Sequence, residues 1–269
     1  MTHAIAIFFQ MASPDSAKRA LEHAAARARA LDDRLGDPLI ARGMARFLVD
    51  WDFAGAEALF DSGMQRNPST QAQAVYSWFP WETGQFDKAI AAATKLIDLE
   101  PTTAQWHSDL AWDHYSAGDA AAARTAALRA IALDSAFYEP YHLLAWIEYE
   151  AGNLPAARDR LARAATVGGD FWLRETLEGL ILARTGDTAG ARAVLRSLDR
   201  DPRLAQRALL LRALGETDSM YTMFEAAIDA RDVDAIWILN SWPSLRPLRQ
   251  EPRYQRLLER MGLPAHLRR

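Results

Sequence analysis

Residues 104–135 read AQWHSDLAWDHYSAGDAAAARTAALRAIALDS, two amphipathic helical stretches placed around one glycine. In the first stretch His107, Leu110, Ala111 and His114 fall at i, i+3, i+4 and i+7, the spacing that gathers side chains on one helix face. That face is expected to pack inward. Gly118 ends the stretch, because a residue without Cβ takes the left-handed conformation a sharp reversal needs. Asp119 is an N-cap type, and the helix it opens carries Ala123, Ala127 and Ala130 on one face, small enough for a partner helix to approach closely.

The unit recurs. Trp78, Trp112 and Trp146 stand 34 residues apart, and Gly84, Gly118, Gly152 and Gly186 share that interval. Each glycine is followed five residues later by a small residue: Ala89, Ala123, Ala157 and Ala191. A bulky residue, leucine with a small residue, glycine, alanine and a closing proline such as Pro101, at this period, resembles the tetratricopeptide repeat. The resemblance implies an all-α fold, a right-handed superhelical solenoid of antiparallel helix pairs with about seven units. A single domain over residues 1–269 is expected, with a helix pair in 1–36, regular repeats in 37–200, and an irregular repeat with C-terminal capping helices in 201–269.

Composition agrees with a packed chain: half of the residues are hydrophobic, a quarter are charged, and 14 Gly and 12 Pro form no low-complexity tract. With no cysteine there is neither a disulfide framework nor a thiolate metal site. Net charge is −4, and arginine carries the positive charge, since Lys18, Lys88 and Lys95 are the only lysines. The absence of a basic block or recognition motif argues against direct nucleic-acid reading. No stretch approaches the roughly 18 apolar residues of a membrane span, and a cytoplasmic location is expected. The opening residues, with Ile5, Ile7, Phe8 and Phe9, lack a basic lead and a cleavage site and are expected to form a buried helix. A solenoid end so apolar is expected to be covered by another segment or by a second copy, giving a homodimer, unless the chain is the downstream part of something longer.

Residues 50–53, Asp-Trp-Asp-Phe, put Trp51 where later turns have glycine, and Trp51 is expected to pack over its helix pair. With Asp109-Leu110-Ala111-Trp112 and the closing LRPLRQEPRYQRLLERMGLP at 245–264, this string resembles bacterial tetratricopeptide regions that follow winged-helix transcriptional regulators, nucleotide cyclases or kinases. No winged-helix, cyclase or kinase segment is present in these residues. The resemblance therefore implies an accessory binding or sensory region in signalling or transcription regulation, not the output activity.

In such an array the first helices line the concave surface, and helical spacing from the three tryptophans names its residues. These are Trp78, Trp81 and Glu82; Gln105, Ser108, Trp112 and Tyr115; and Glu139, His142, Trp146, Tyr149 and Glu150. Rigid rings offer contact area at low entropy cost, and Glu82, Glu139 and Glu150 favour a cationic partner. The same tryptophans serve equally well as wedges between neighbouring first helices. His107, Asp109, Asp113 and His114 cluster in sequence, but the histidines occupy packing positions and the aspartates point elsewhere on the helix. There is no His-Glu-x-x-His spacing, no Lys after Gly168-Gly169 and no Gly-x-Ser-x-Gly. No catalytic residue, metal or cofactor is expected. The expected function is a non-catalytic scaffold holding a protein or peptide segment in the concave groove. The alternatives are a small-molecule sensor with an enclosed pocket and, last, an enzyme using the histidine and aspartate cluster.

Overall fold

The structure is a computed structural model that describes residues 14–66, 68–168, 173–198 and 203–268, and all regular structure among them is helical. Helix α1 (Pro14–Leu31) lies against α2 (Asp37–Ala45), which pairs with α3 (Phe53–Met64). The pairs α4 (Thr70–Glu82) with α5 (Phe86–Leu99), α6 (Ala104–Ala117) with α7 (Ala120–Leu133), and α8 (Glu139–Glu150) with α9 (Leu154–Thr166) follow. Then come α10 (Arg174–Arg184) with α11 (Thr188–Ser197), α12 (Leu204–Ala213) with α13 (Thr217–Asp229), and finally α14 (Val233–Ser241) and α15 (Pro252–Arg260). This is the expected all-α solenoid. The opening apolar stretch and the homodimer tied to it fall outside the described residues.

The repeated residues do what their types require. Gly84, Gly118, Gly152 and Gly186 all take positive φ, between 77° and 94°, and Ala89, Ala123, Ala157 and Ala191 are completely buried where paired helices touch. Each of these turns uses the left-handed region that L-residues rarely adopt, so geometry favours glycine. At the first turn Trp51 itself adopts this left-handed conformation, with φ 55°, and remains only 8% exposed against Phe53. Second helices are launched by aspartate caps: Asp52 accepts the Gly55 N–H at 2.9 Å, Asp119 that of Ala122 at 2.9 Å and Asp187 that of Gly190 at 2.8 Å.

The C-terminal part departs from a capping role. Helix α14 stands beside α12 as the next first helix, and it also packs against α4, five first helices earlier. Every residue of α14 is buried, and its polar members Asp234, Asn240 and Ser241 are hydrogen-bonded there. Hydrogen bonds fasten this return. Ser241 Oγ donates to the Trp81 carbonyl at 2.7 Å, Arg246 of the 3₁₀ turn Pro243–Leu248 donates to the Ser116 carbonyl, and Arg231 donates to the Val49 carbonyl at 2.6 Å. His266 meets Glu57 of α3 at 3.0 Å. The last unit therefore folds over the concave face of the early ones and closes the array on itself.

Closure makes α14 a shared core element, so truncating its largest ring should destabilise the whole chain. Trp237→Ala is expected to cost about 3–5 kcal/mol, read as a lowered midpoint in urea unfolding. Leu31→Ala, at a side chain 86% exposed, is expected to change stability by less than about 0.5 kcal/mol.

Candidate binding surface

The first helices α4, α6 and α8 carry aromatic rings on the faces turned toward the inside of the closed array, and two tryptophans and one tyrosine of those faces meet two tryptophans from the C-terminal segment. Trp81 stacks on Trp237 with ring centres 5.7 Å apart and planes 15° apart, while its Nε1 donates to Ser116 Oγ at 2.9 Å. Trp146, fully buried, stands edge-on to Trp242 at 4.5 Å, and Tyr115 meets the same Trp242 ring at 6.2 Å. Trp112 packs edge-on to Tyr115 at 5.8 Å, and Trp78 is half-buried against the core. The groove expected over these rings is filled by the chain's own α14 and Trp242. Sequence reasoning missed Trp237 and Trp242. Their signal was the apolar run from Val233 to Trp242, too hydrophobic all round for a solvated cap.

The polar members of the expected site separate into three places. Glu82 is completely buried near Asp234, burial and that neighbouring charge push its carboxyl well above the ordinary range, and neither oxygen finds a hydrogen-bond partner. It does not reach a rim. Asp234 accepts from Gln206 at 2.8 Å, and Gln206 in turn accepts from Thr176 at 2.6 Å, a buried chain joining α10, α12 and α14. His142 is also fully buried, edge-on to Tyr138.

At the turn end of the first helices, Tyr149 and Glu150 are half-buried among arginines. Arg184 lies over the Tyr149 ring at 5.2 Å and donates to its carbonyl at 2.5 Å, and Arg212 donates to the Ser244 carbonyl at 3.0 Å. Burial raises the Glu150 carboxyl, opposed by the charges of Arg184, Arg212 and Arg246. The acidic edge expected at Glu150 is thus outnumbered by cations. The Tyr115 hydroxyl and Trp146 Nε1 nearby are enclosed without hydrogen-bond partners.

At the opposite end, around the start of α6 and α8, the surface stays open and acidic. The Gln105 amide donates to Asp109 at 2.8 Å and to Glu139 at 3.2 Å, which sets two carboxylates from neighbouring units side by side. Both, with Gln105, remain partly open to solvent, whereas Ser108 behind them is completely buried. Burial, with the charge of Glu139 adding and the Gln105 hydrogen bond opposing, pushes Asp109 up to about 7. Asp113, one turn along α6 and 4% exposed, is pushed well above the ordinary range by burial and by Asp109. The expectation for this helix is therefore reversed: His107 and His114 are only half-buried, His107 meeting the Pro101 carbonyl at 3.0 Å, while Asp113 is enclosed. Sequence spacing alone did not give Asp109 and Asp113 a role, because the inward face was set by the tryptophan register rather than by the histidine register.

No protein-family model matches the sequence, and no curated protein is similar to it. Similarity is found in the fold. The structure from the functional characterization of Pseudomonas aeruginosa pilF has a TM-score of 0.53 at 16% identity, covering 77% of this chain and 95% of that one. The APC/C hetero-tetramer Cut9-Hcn1 has a TM-score of 0.60 at 14% identity, with 91% of this chain and 46% of that chain covered, so this chain spans under half its length. Both are tetratricopeptide-repeat proteins, and at such identities the likeness concerns the helical solenoid alone.

Several carboxyls are raised by burial, Glu82, Asp109, Asp113 and Asp232 among them, and each favours the folded chain at low pH and disfavours it as pH rises. Asp109 rises from an ordinary 3.8 to about 7, and buried Asp232 to about 8, through burial and then the charge of Asp234. The folded chain binds more protons than the unfolded one between these values, so their contribution is fullest below about pH 4 and is lost as pH rises through 7 and 8. Asp109→Asn is expected to raise the thermal midpoint at pH 8 by about 2–4 °C and to change it little at pH 4, as read by calorimetry.

Proposed function

We propose that this chain is a non-catalytic scaffold that holds a protein partner on the open, acidic end of its concave surface. One observation carries this: in a face otherwise filled by α14 and Trp242, the Gln105, Asp109 and Glu139 side chains remain accessible and held together by hydrogen bonds. A rigid, preorganised polar surface loses little entropy when a partner is bound. The filled centre argues against a long peptide lying the length of the groove, and favours a short protruding segment. Resemblance of the closing segment to regulator-linked arrays supports a cytoplasmic role in bacterial signalling or transcription regulation. No described group suggests catalysis, since the His107 and His114 side chains do not converge with Asp113.

Site-specific photo-crosslinking tests this proposal. A benzophenone side chain introduced at exposed Thr102, beside the start of α6, leaves Gln105 in place and is expected to yield one discrete protein adduct in native lysate, while the same group at exposed Leu128 of α7 yields none. Adducts confined to position 128, or none at position 102, would contradict it.

A further inference from the structure

Three second helices carry an arginine six residues beyond their turn glycine: Arg124, Arg158 and Arg192 after Gly118, Gly152 and Gly186. Two of them are paired with a carboxylate of the following unit, Arg124 with Glu148 at 2.7 Å and Arg192 with Glu216 at 2.5 Å. Arg158 is the exception. The residue 24 positions after it, where Arg124 has Glu148, is Leu182, and Arg158 makes no hydrogen bond or ion pair with any described residue. Its side chain stays exposed.

A groove lies where that ion pair is missing. Between α9 and α10 the surface encloses about 460 Å³, within the size range of small-molecule sites. On α9 Arg158, Leu161, Ala162 and Ala165 follow at i, i+3, i+4 and i+7 and form one wall, and Ile181 and Leu182 of α10 form the other. The room comes from a change of residue size. One period earlier the positions of Ala162 and Ala165 hold Leu128 and Ile131, larger side chains that would take it up. Leu161 and Ile181 are buried and make the floor apolar. Arg174, also on the rim, is bonded to Glu178 at 2.7 Å, so these two charges offset each other and Arg158 is left as the unpaired cation of the groove.

We infer that the groove between α9 and α10 binds a small monocarboxylate with an apolar stem, whose carboxylate takes at Arg158 the place that Glu148 takes at Arg124. An arginine fork receives a carboxylate through two parallel hydrogen bonds, while Leu161, Ile181 and Leu182 shield the stem from water. Length sets the size of the ligand. The seven residues from Arg158 to Ala165 rise about 10 Å along the helix, which an extended stem of about seven or eight carbons spans at about 1.5 Å per bond. A peptide in the same length would place only about three residues there, too few to be held specifically, so a free small molecule is the occupant that fits. The inference does not rest on the scaffold proposal, since it uses none of the residues of the acidic surface.

The test is a calorimetric titration of the full chain with sodium octanoate and with n-octanol as a neutral probe of the same length, together with NMR of the Ala162 and Ala165 methyl groups. Octanoate is expected to bind with a Kd on the order of 0.1 mM and to shift both methyl signals, and n-octanol to bind at least about tenfold more weakly. Two variants separate charge from fold. Arg158→Gln changes an exposed, unpaired side chain and is expected to leave the thermal midpoint in place while weakening octanoate binding about tenfold. Leu182→Glu supplies the missing carboxylate from the chain itself, and is expected to abolish octanoate binding and keep the helical circular dichroism. Equal binding of n-octanol and octanoate, octanoate binding by either folded variant at wild-type strength, shifts that spare both methyl groups, or no binding at all would overturn the inference. Nuclear Overhauser contacts from Phe171 or Trp172 to those methyls in the free chain would show the groove filled from within and overturn it too.

Discussion

Two ring contacts, Trp81 on Trp237 and Trp146 on Trp242, hold the C-terminal helix against the inner face of the early repeats, and the shape of the whole chain depends on them. An open solenoid is stabilised only between neighbours, so each unit answers for itself and its two interfaces. Here α14 touches both α12 and α4, which links the sixth pair to the second and makes distant units share one core. Aromatic pairs of this kind contribute about 0.5–1.5 kcal/mol each beyond the area they bury, and the area itself contributes several times more. The consequence is a chain whose units are bound to unfold together.

Filling the centre also decides where function can lie. Residues that would form a continuous binding groove in an open array, Trp146 and Tyr115 among them, become structural because Trp242 covers them. What remains on the inside is divided by that aromatic wall into two ends of opposite charge. At one, Arg184, Arg212 and Arg246 surround Glu150; at the other, Asp109 and Glu139 share the Gln105 amide and Asp113 lies beside Asp109. The arginines spend their hydrogen bonds on backbone carbonyls of Tyr149, Ser244 and Ser116, so they hold the returning segment in place. Asp109 and Glu139 are joined instead through the Gln105 amide, across neighbouring units.

Local geometry was legible in the sequence because it is enforced within one unit. The glycine and alanine series fixed the turns and the helix contacts, since glycine takes the positive φ without the strain a side chain meets there and a small side chain fits where paired helices meet. Trp51 likewise packs where its neighbours suggested, against Phe53. The tryptophan register gave no sign of what packs on those rings, because the partner ring of Trp81 lies 156 residues further along the chain and no periodicity connects them. Asp109 and Asp113 were hidden for a related reason. Their burial comes from α8 and the closed array around them, and a helix-wheel reading of α6 alone cannot supply it.

The central claim is that the C-terminal helix lies on the turn of the second repeat, and the chain's lack of cysteine allows a clean test. A Cβ at Gly84 would stand 3.9 Å from that of Asn240, the separation typical of a disulfide. Because φ at Gly84 is 77°, Gly84→Cys alone serves as the control for backbone strain; provided it keeps the helical circular dichroism, the double variant Gly84→Cys/Asn240→Cys should oxidise to a single intramolecular bridge with a raised thermal midpoint compared with its reduced form. Free thiols that persist under oxidising conditions, or bridges formed only between molecules, would show that α14 does not rest there and that the array is open.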